Sequence, residues 1–305
     1  MKTKYLVSFL GSVVVVFSIY FIAVQLSLHK ESLLAWRPGA KDITMLSISA
    51  IVYAWANYLL AFAWIYLLSR NGEPVPVKTK LIGIYGRSQI AKYIPGNILH
   101  IGGRHLLGMS AGLTHKALAF AAIYEITGLL SAAMLISLIG LQWFDVDIAA
   151  LKWLPVLSPT LIVGYLIFPS ILSKFSKQLT IYGKWHQLSV PLFIYLAFFL
   201  IAGFALLLLL LDYSTNPDLK LFVTALTAFA VAWSVGFITP GAPSGIGIRE
   251  SILIILLSPL ISAEYAIILS FLFRLVTVMG DLLFMVLTGI GENYKFFGIP
   301  RCVKN

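Results

Sequence analysis

Charged residues are scarce in this sequence, and cysteine is almost absent. Aspartate, glutamate, lysine and arginine make up 11% of the 305 residues, whereas 60% are hydrophobic; an ordinary soluble domain has roughly 25% charged residues. A soluble fold of this composition would lack the polar surface needed to cover its core. The single cysteine, Cys302, excludes an internal disulfide and any metal site built from cysteines.

The sequence also lacks the motifs of common catalytic sites. It contains no nucleotide-binding phosphate loop, no His-Glu-x-x-His pair and no nucleophile elbow, and its polar loops are too short to house a nucleotide or an aminoacyl donor. His100 and His105 flank Arg104, but their five-residue spacing does not place them neatly on one helical face. We therefore expect no enzymatic activity, no metal site and no cofactor.

Long apolar runs take the place of these motifs. Most of the uncharged stretches reach the ~20 residues that cross a bilayer as a helix; they cover 5–28, 43–69, 126–144, 153–173, 187–211 and 221–248. Transmembrane β-barrels are excluded because their strands alternate apolar and polar residues. The sequence thus predicts an all-α, polytopic helical membrane protein, and its first run is too long for a signal peptide.

The distribution of lysine and arginine predicts the orientation. With both termini in the cytoplasm, the inside segments are strongly positive and the outside segments slightly negative, as the positive-inside rule requires. The net charge of +10 therefore reflects membrane topology, and we expect no nucleic-acid partner. This orientation, in a cell (inner) membrane, requires residues 81–112 to enter and leave on the cytoplasmic side and 221–260 to do so on the outside.

Each predicted re-entrant hairpin contains a proline followed by a glycine. These pairs are Pro95 with Gly96 and Pro240 with Gly241. Proline removes a backbone donor and kinks a helix, and glycine adopts backbone angles that other residues resist. We predict that the chain reverses at these two bends.

The two hairpins are also alike in sequence. In "YIPGNILHIGGRHL" and "ITPGAPSGIGIRES" an arginine follows the proline by nine residues, Arg104 in the first and Arg249 in the second. Downstream, "YEITGLLSAAMLISLIG" aligns with "FRLVTVMGDLLFMVLTG" after a four-residue insertion, which pairs Glu125 with Arg274. We predict one transmembrane domain over 1–305, built from inverted repeats of about 5–141 and 153–289, each with three spans and a hairpin, as in many secondary transporters.

Eight charged residues fall within the predicted membrane segments, where each costs roughly 2.5 to 3.5 kcal/mol. We expect most of them to pair or to line a wet cavity. Arginines beside glycine-rich bends suit a phosphate, because guanidinium binds phosphate in a fork and exposed amides add donors. Arg104 and Arg249 are the leading anion contacts. The further basic candidates are Arg274, Arg87 and Lys92, and the supporting carboxylates are Glu125, Glu250 and Asp281.

The alternative interpretation of these charges is structural. Buried ion pairs would fix the helix packing, while Arg87 and Lys92 would extend to the cytoplasmic headgroups. Arg274 and Asp281 lie seven residues apart, on one helical face two turns from each other, and would form a structural link.

Two segments, "GRSQIAKYIPGNILHIGGRH" and "FITPGAPSGIGIRES", resemble the signature segments of the lysylphosphatidylglycerol synthase transmembrane region, a flippase-like integral membrane family. The resemblance covers nearly the whole chain, although Ala242 follows Pro240-Gly241 where the second signature often has a further glycine. It implies two inverted halves and a role in moving or recognising lipids with charged or phosphorylated headgroups. We expect no counterpart of the C-terminal aminoacyl-transfer domain of the full synthases and therefore no synthase activity.

These observations favour a lipid flippase or transporter that moves or binds a phospholipid or a polyprenyl-phosphate-linked sugar. One alternative is a non-transporting accessory protein that binds such a lipid and partners a glycosyltransferase or another cell-envelope enzyme. A transporter for a soluble anion is a third interpretation, since an arginine-lined cavity need not select a lipid.

Overall fold

The computed structural model describes residues 30–70, 75–93, 99–143, 185–211, 218–239 and 243–289, with Tyr20, Tyr213 and a few residues in 22–27 and 160–167. The predicted spans 5–28 and 153–173 lie almost wholly outside the described residues. The same holds for the four residues predicted to form the hairpin bends: Pro95, Gly96, Pro240 and Gly241.

Helices make up the regular structure of the described residues, and no strand occurs among them. The helices are α1 (Lys30–Ala35), α2 (Ala40–Ser69), α3 (Lys78–Gln89), α4 (Leu99–Ser110), α5 (His115–Gly140), α6 (Trp185–Leu210), α7 (Leu219–Ile238), α8 (Ile248–Leu257) and α9 (Ala263–Gly289). Short 3₁₀ turns cover Ile90–Tyr93, Leu141–Trp143 and Pro243–Gly245. The prediction of an all-α protein is confirmed.

Five of these helices, α2, α5, α6, α7 and α9, are long and apolar enough to cross a membrane. A helix of 20 residues spans about 30 Å, the thickness of a bilayer's hydrocarbon core. The protein is therefore a multi-pass membrane protein.

Polar side chains mark where three of the long helices begin. The Asp42 carboxylate accepts from the Gly39 N–H at 2.7 Å before α2, and the Asp218 carboxylate accepts from Leu221 N–H at 2.8 Å at the start of α7. Thr114 Oγ1 accepts from Ala117 N–H at 3.3 Å before α5. Each contact satisfies a backbone donor that has no partner within its own helix.

The first hairpin consists of two short helices that pack against each other. α3 and α4 have 12 residues each, about 18 Å of helix, so neither crosses a bilayer alone. The two helices are in contact along the chain's first predicted hairpin.

The second hairpin, α7 with α8, is unequal, which the sequence did not predict. α7 has 20 residues and the dimensions of a full span, whereas α8 has 10. The physical reason is that the apolar run in α7 continues unbroken to Ile238 and meets no proline before position 240. The two helices pack against each other around the turn Pro243–Gly245.

Helix α2 lies at the centre of the described bundle and packs along both α6 and α9. The contact with α9 is close at Gly280, where an added Cβ would lie 2.9 Å from the carbonyl oxygen of Ala50. Small residues permit such approaches between membrane helices. The turns Ile90–Tyr93 and Pro243–Gly245 also touch, so the two hairpins are in contact at these turns.

Candidate functional site

Two neighbouring cavities lie where the hairpins meet, and they share Trp233 and Arg249 in their walls. The larger, of about 60 Å³, exceeds several-fold the ~10–15 Å³ that one water molecule needs. The smaller measures about 20 Å³. The polar and charged residues of the larger wall are Tyr53, Asn57, Tyr85, Gln89, Lys92, His100, Arg104, Glu125, Ser244 and Arg249.

Seven of the eight predicted intramembrane charges belong to this region. Lys92, Arg104, Glu125 and Arg249 line the larger cavity, and Arg249 with Glu250 and Arg274 lines the smaller one. Asp281 joins them through its ion pair with Lys92. Arg87 lies outside both walls, and its Nε donates to the carbonyl oxygen of Gly83 at 3.2 Å.

Arg104 is held in a buried ion pair with Glu125. Its Nη1 lies 2.5 Å from Glu125 Oε2, and only 4% of Arg104 and 7% of Glu125 are exposed. Tyr85 donates its hydroxyl to the other carboxylate oxygen at 2.7 Å, and its ring lies 3.8 Å below the guanidinium. Arg104 Nε donates to Ser88 Oγ at 3.2 Å. The charge of Arg104 is thus already balanced by the protein.

A second network fixes the first hairpin to α9 and α2. Lys92 Nζ lies 2.7 Å from Asp281 Oδ2, and Tyr93 donates its hydroxyl to the same oxygen at 2.5 Å. Asn57 on α2 donates to Asp281 Oδ1 at 3.1 Å. Asp281 is fully buried, and these three donors together compensate its charge.

Arg274 belongs to a third, looser arrangement. Its Nε lies 3.6 Å from Glu250 Oε1, beyond the ~2.7–2.9 Å of a good charge-assisted hydrogen bond. Its Nη1 donates to the carbonyl oxygen of Ser244 at 3.1 Å. The proposed link between Arg274 and Asp281 is wrong: two turns separate them by about 10 Å along the helix, and each contacts a different element.

Arg249 has no ion pair with a carboxylate among the described residues. Its side chain passes between two glycines: an added Cβ would lie 2.6 Å from Arg249 Cγ at Gly236 and 2.8 Å from Arg249 Nε at Gly245. The guanidinium lies 5.9 Å from the ring centre of Trp233. The slot between the glycines therefore directs the guanidinium to the walls of both cavities.

Three buried donors at this bend have no hydrogen-bond partner within the described part of the chain: Arg249 Nε, Arg274 Nη2 and Ser244 Oγ. Ser244 is buried and has φ 50°, in the left-handed region. Its main-chain carbonyl holds Arg274. Buried donors without acceptors are costly, so the bend between α7 and α8 has a local surplus of donors and of positive charge.

Several residues of this region were not predicted from the sequence. Tyr85, Asn57 and Tyr93 hold the carboxylates, and Ser244 shapes the bend. A signal existed for Ser244, which precedes Gly245 in a glycine-rich turn, and for Tyr93, which lies two residues before Pro95. No local pattern marks Tyr85 or Asn57, whose roles arise only from packing between distant helices.

The histidines occupy two different environments. His100 lines the larger cavity, while His105, midway along α4, and His115, at the start of α5, face each other at an exposed position with 2.9 Å between Nε2 and Nδ1. Among the residues the structure describes, no group of three or more metal-ligating side chains occurs.

Comparisons with known proteins do not assign the chain to a group. No family model matches the sequence, and no curated protein matches it significantly.

Proposed function

We propose that this protein binds the phosphorylated headgroup of a membrane lipid inside the bilayer and moves it between the leaflets. The observation that carries the proposal is the set of three unpartnered donors at the second bend, within a bundle of membrane-spanning helices. A phosphate supplies the acceptor oxygens and the negative charge that the described protein groups there do not supply.

The size of the site favours a headgroup over a whole lipid. The larger cavity holds about 60 Å³, the space of a few water molecules, which suits a small anionic group but is far too small for acyl chains. Large apolar side chains are exposed on the outer faces of the helices, including Trp55, Phe62 and Phe193. The chains of the lipid would stay in the bilayer while the headgroup enters between the hairpins.

The resemblance to the flippase-like transmembrane region supports the same proposal. The two resembling segments are those that contribute Arg104 and Arg249, and in the fold they line one cavity. In the proposed mechanism the pairs Arg104–Glu125 and Lys92–Asp281 keep the hairpins in place. Arg274, with its long 3.6 Å contact to Glu250, is the group best able to exchange a carboxylate for a phosphate.

A transbilayer assay tests the proposal. The purified protein is reconstituted in liposomes with a fluorescent phosphatidylglycerol, and dithionite quenching measures how fast the label leaves the inner leaflet. We expect faster movement than in empty liposomes and at least a tenfold lower rate for Arg249→Gln, because the unpaired cation is lost.

The matched control is Arg70→Gln, which removes the same side chain from an exposed position at the end of α2 and is expected to leave the rate unchanged. Equal rates for wild type and Arg249→Gln would count against the site. Lipid binding without movement would favour the accessory role.

A further inference from the structure

We propose that the site selects a phosphate diester with one negative charge over a phosphate monoester or a diphosphate with two. This inference rests on the proposed function and adds the chemical class of the headgroup.

The charged residues of the two cavities leave one positive charge without a carboxylate. The cations that line the two cavities, or pair with residues that do, are Lys92, Arg104, Arg249 and Arg274, and the carboxylates are Glu125, Glu250 and Asp281. Three carboxylates neutralise three of these four cations, so one positive charge remains among the described residues. A single negative charge completes the balance.

The surplus positive charge is localised at Arg249 and Arg274. Arg104 and Lys92 contact their carboxylates at 2.5 Å and 2.7 Å, whereas Arg274 lies 3.6 Å from Glu250 and Arg249 forms no such pair. The excess charge is therefore at the bend between α7 and α8, where Arg274 Nη1 donates to the carbonyl oxygen of Ser244. An uncompensated charge in a low-dielectric interior is unfavourable. The empty site has one surplus positive charge, and a bound dianion would replace it with one surplus negative charge.

The donors and the apolar side chains of the walls suit a diester. Arg249 Nε, Arg274 Nη2 and Ser244 Oγ all lack acceptors, and the two terminal oxygens of a diester bound at this bend would supply them. Its two ester oxygens need no strong donor and suit the apolar side, where Trp233 and Phe237 stack with ring centres 5.0 Å apart. A monoester would present a third charged oxygen to this apolar side.

Calorimetric titration of the purified protein in detergent tests the inference without requiring transport. The probes are dihexanoyl phosphatidylglycerol, a diester, and dihexanoyl phosphatidic acid, a monoester of charge about −1.5 to −2 at pH 7. We expect the diester to bind at least tenfold more tightly at pH 8. Equal affinities, or tighter binding of the monoester, would overturn the inference.

Glycerophosphoglycerol, the same headgroup without acyl chains, distinguishes a lipid from a soluble phosphate diester as the natural ligand. Weaker binding of this probe than of dihexanoyl phosphatidylglycerol supports the lipid. Binding as tight as that of the lipid would overturn it in favour of a soluble anion.

A change of pH gives a second readout. The monoester takes up a proton with a pKa near 6 and becomes singly charged, so its affinity relative to the diester should rise as the pH falls from 8 to 5. Protonation of His100, which lines the cavity, would also change the charge of the site, so the same pH series is measured with His100→Gln, in which the ratio should change with pH as well. A ratio independent of pH would contradict the selection by charge.

Glu250→Gln provides the matching change in the protein. It raises the net charge of the region by one. The amide of the glutamine keeps an oxygen that can accept from the Gly247 N–H, as Glu250 Oε2 does at 2.7 Å in the wild type. We expect the preference to shift at least tenfold toward the monoester, whereas Glu31→Gln, at an exposed position on α1, should leave it unchanged. Diester binding with no transbilayer movement would refute the proposed function but not this inference. Transbilayer movement with no preference for the diester would refute this inference but not the proposed function.

Discussion

At the residue scale, the two halves of the molecule use corresponding positions in opposite ways. The sequence alignment pairs Glu125 with Arg274 and Arg104 with Arg249. In the first half, arginine and glutamate form a closed ion pair 2.5 Å long. In the second half both positions hold arginine, so Arg249 lacks the partner that Arg104 has. Arg104 therefore contributes to helix packing through its ion pair, whereas Arg249 is a candidate anion contact.

The first-half pair should therefore matter for stability. Glu125→Gln leaves Arg104 buried without a counter-charge, which typically costs about 3 to 5 kcal/mol, while Tyr85→Phe removes one hydrogen bond to a carboxylate and should cost about 1.5 to 3 kcal/mol. Unfolding in mixed micelles with increasing dodecyl sulfate, followed by tryptophan fluorescence, gives the free energies. Arg104→Gln combined with Glu125→Gln should recover part of the loss. An unchanged unfolding midpoint for Glu125→Gln would contradict the account.

At the scale of elements, the hairpins make a charged site possible inside an apolar bundle. α3 and α4 are too short to cross the membrane and pack side by side, which brings Lys92 and Arg104 together at the larger cavity. α8 ends the second hairpin after 10 residues and places Arg249 near its start. Broken helices thus bring polar groups to the middle of the bundle, where continuous spans would carry apolar ones.

The first hairpin should return to the side from which it enters. In a chain with Cys302→Ser, we expect Lys78→Cys, at the start of α3, and Lys116→Cys, at the start of α5 after the hairpin, to react with an impermeant maleimide from the same, cytoplasmic side; both positions are exposed. Lys220→Cys, at the start of α7 and thus of the second hairpin, should react from the opposite side. Labelling of positions 78 and 116 from opposite faces would mean that α3 and α4 together cross the membrane.

At the scale of the whole molecule, the sequence predicts the framework better than the site. The uncharged runs 43–69 and 187–211 correspond closely to α2 and α6, because apolar length alone determines a span. The run 126–144 underestimates α5, which begins at His115, since the buried charge of Glu125 is tolerated only through a partner on another helix. Single-residue patterns identified the arginines, but which of them stays unpaired depends on distances between helices.

The most direct test of the account is an experimental structure of the protein in nanodiscs that contain phosphatidylglycerol. We predict density for a phosphate within about 3 Å of both Arg249 Nε and Arg274 Nη2, with the Arg104–Glu125 pair intact. A structure in which Arg249 pairs with a carboxylate of the protein, and the lipid phosphates lie only at the membrane surfaces, would contradict it.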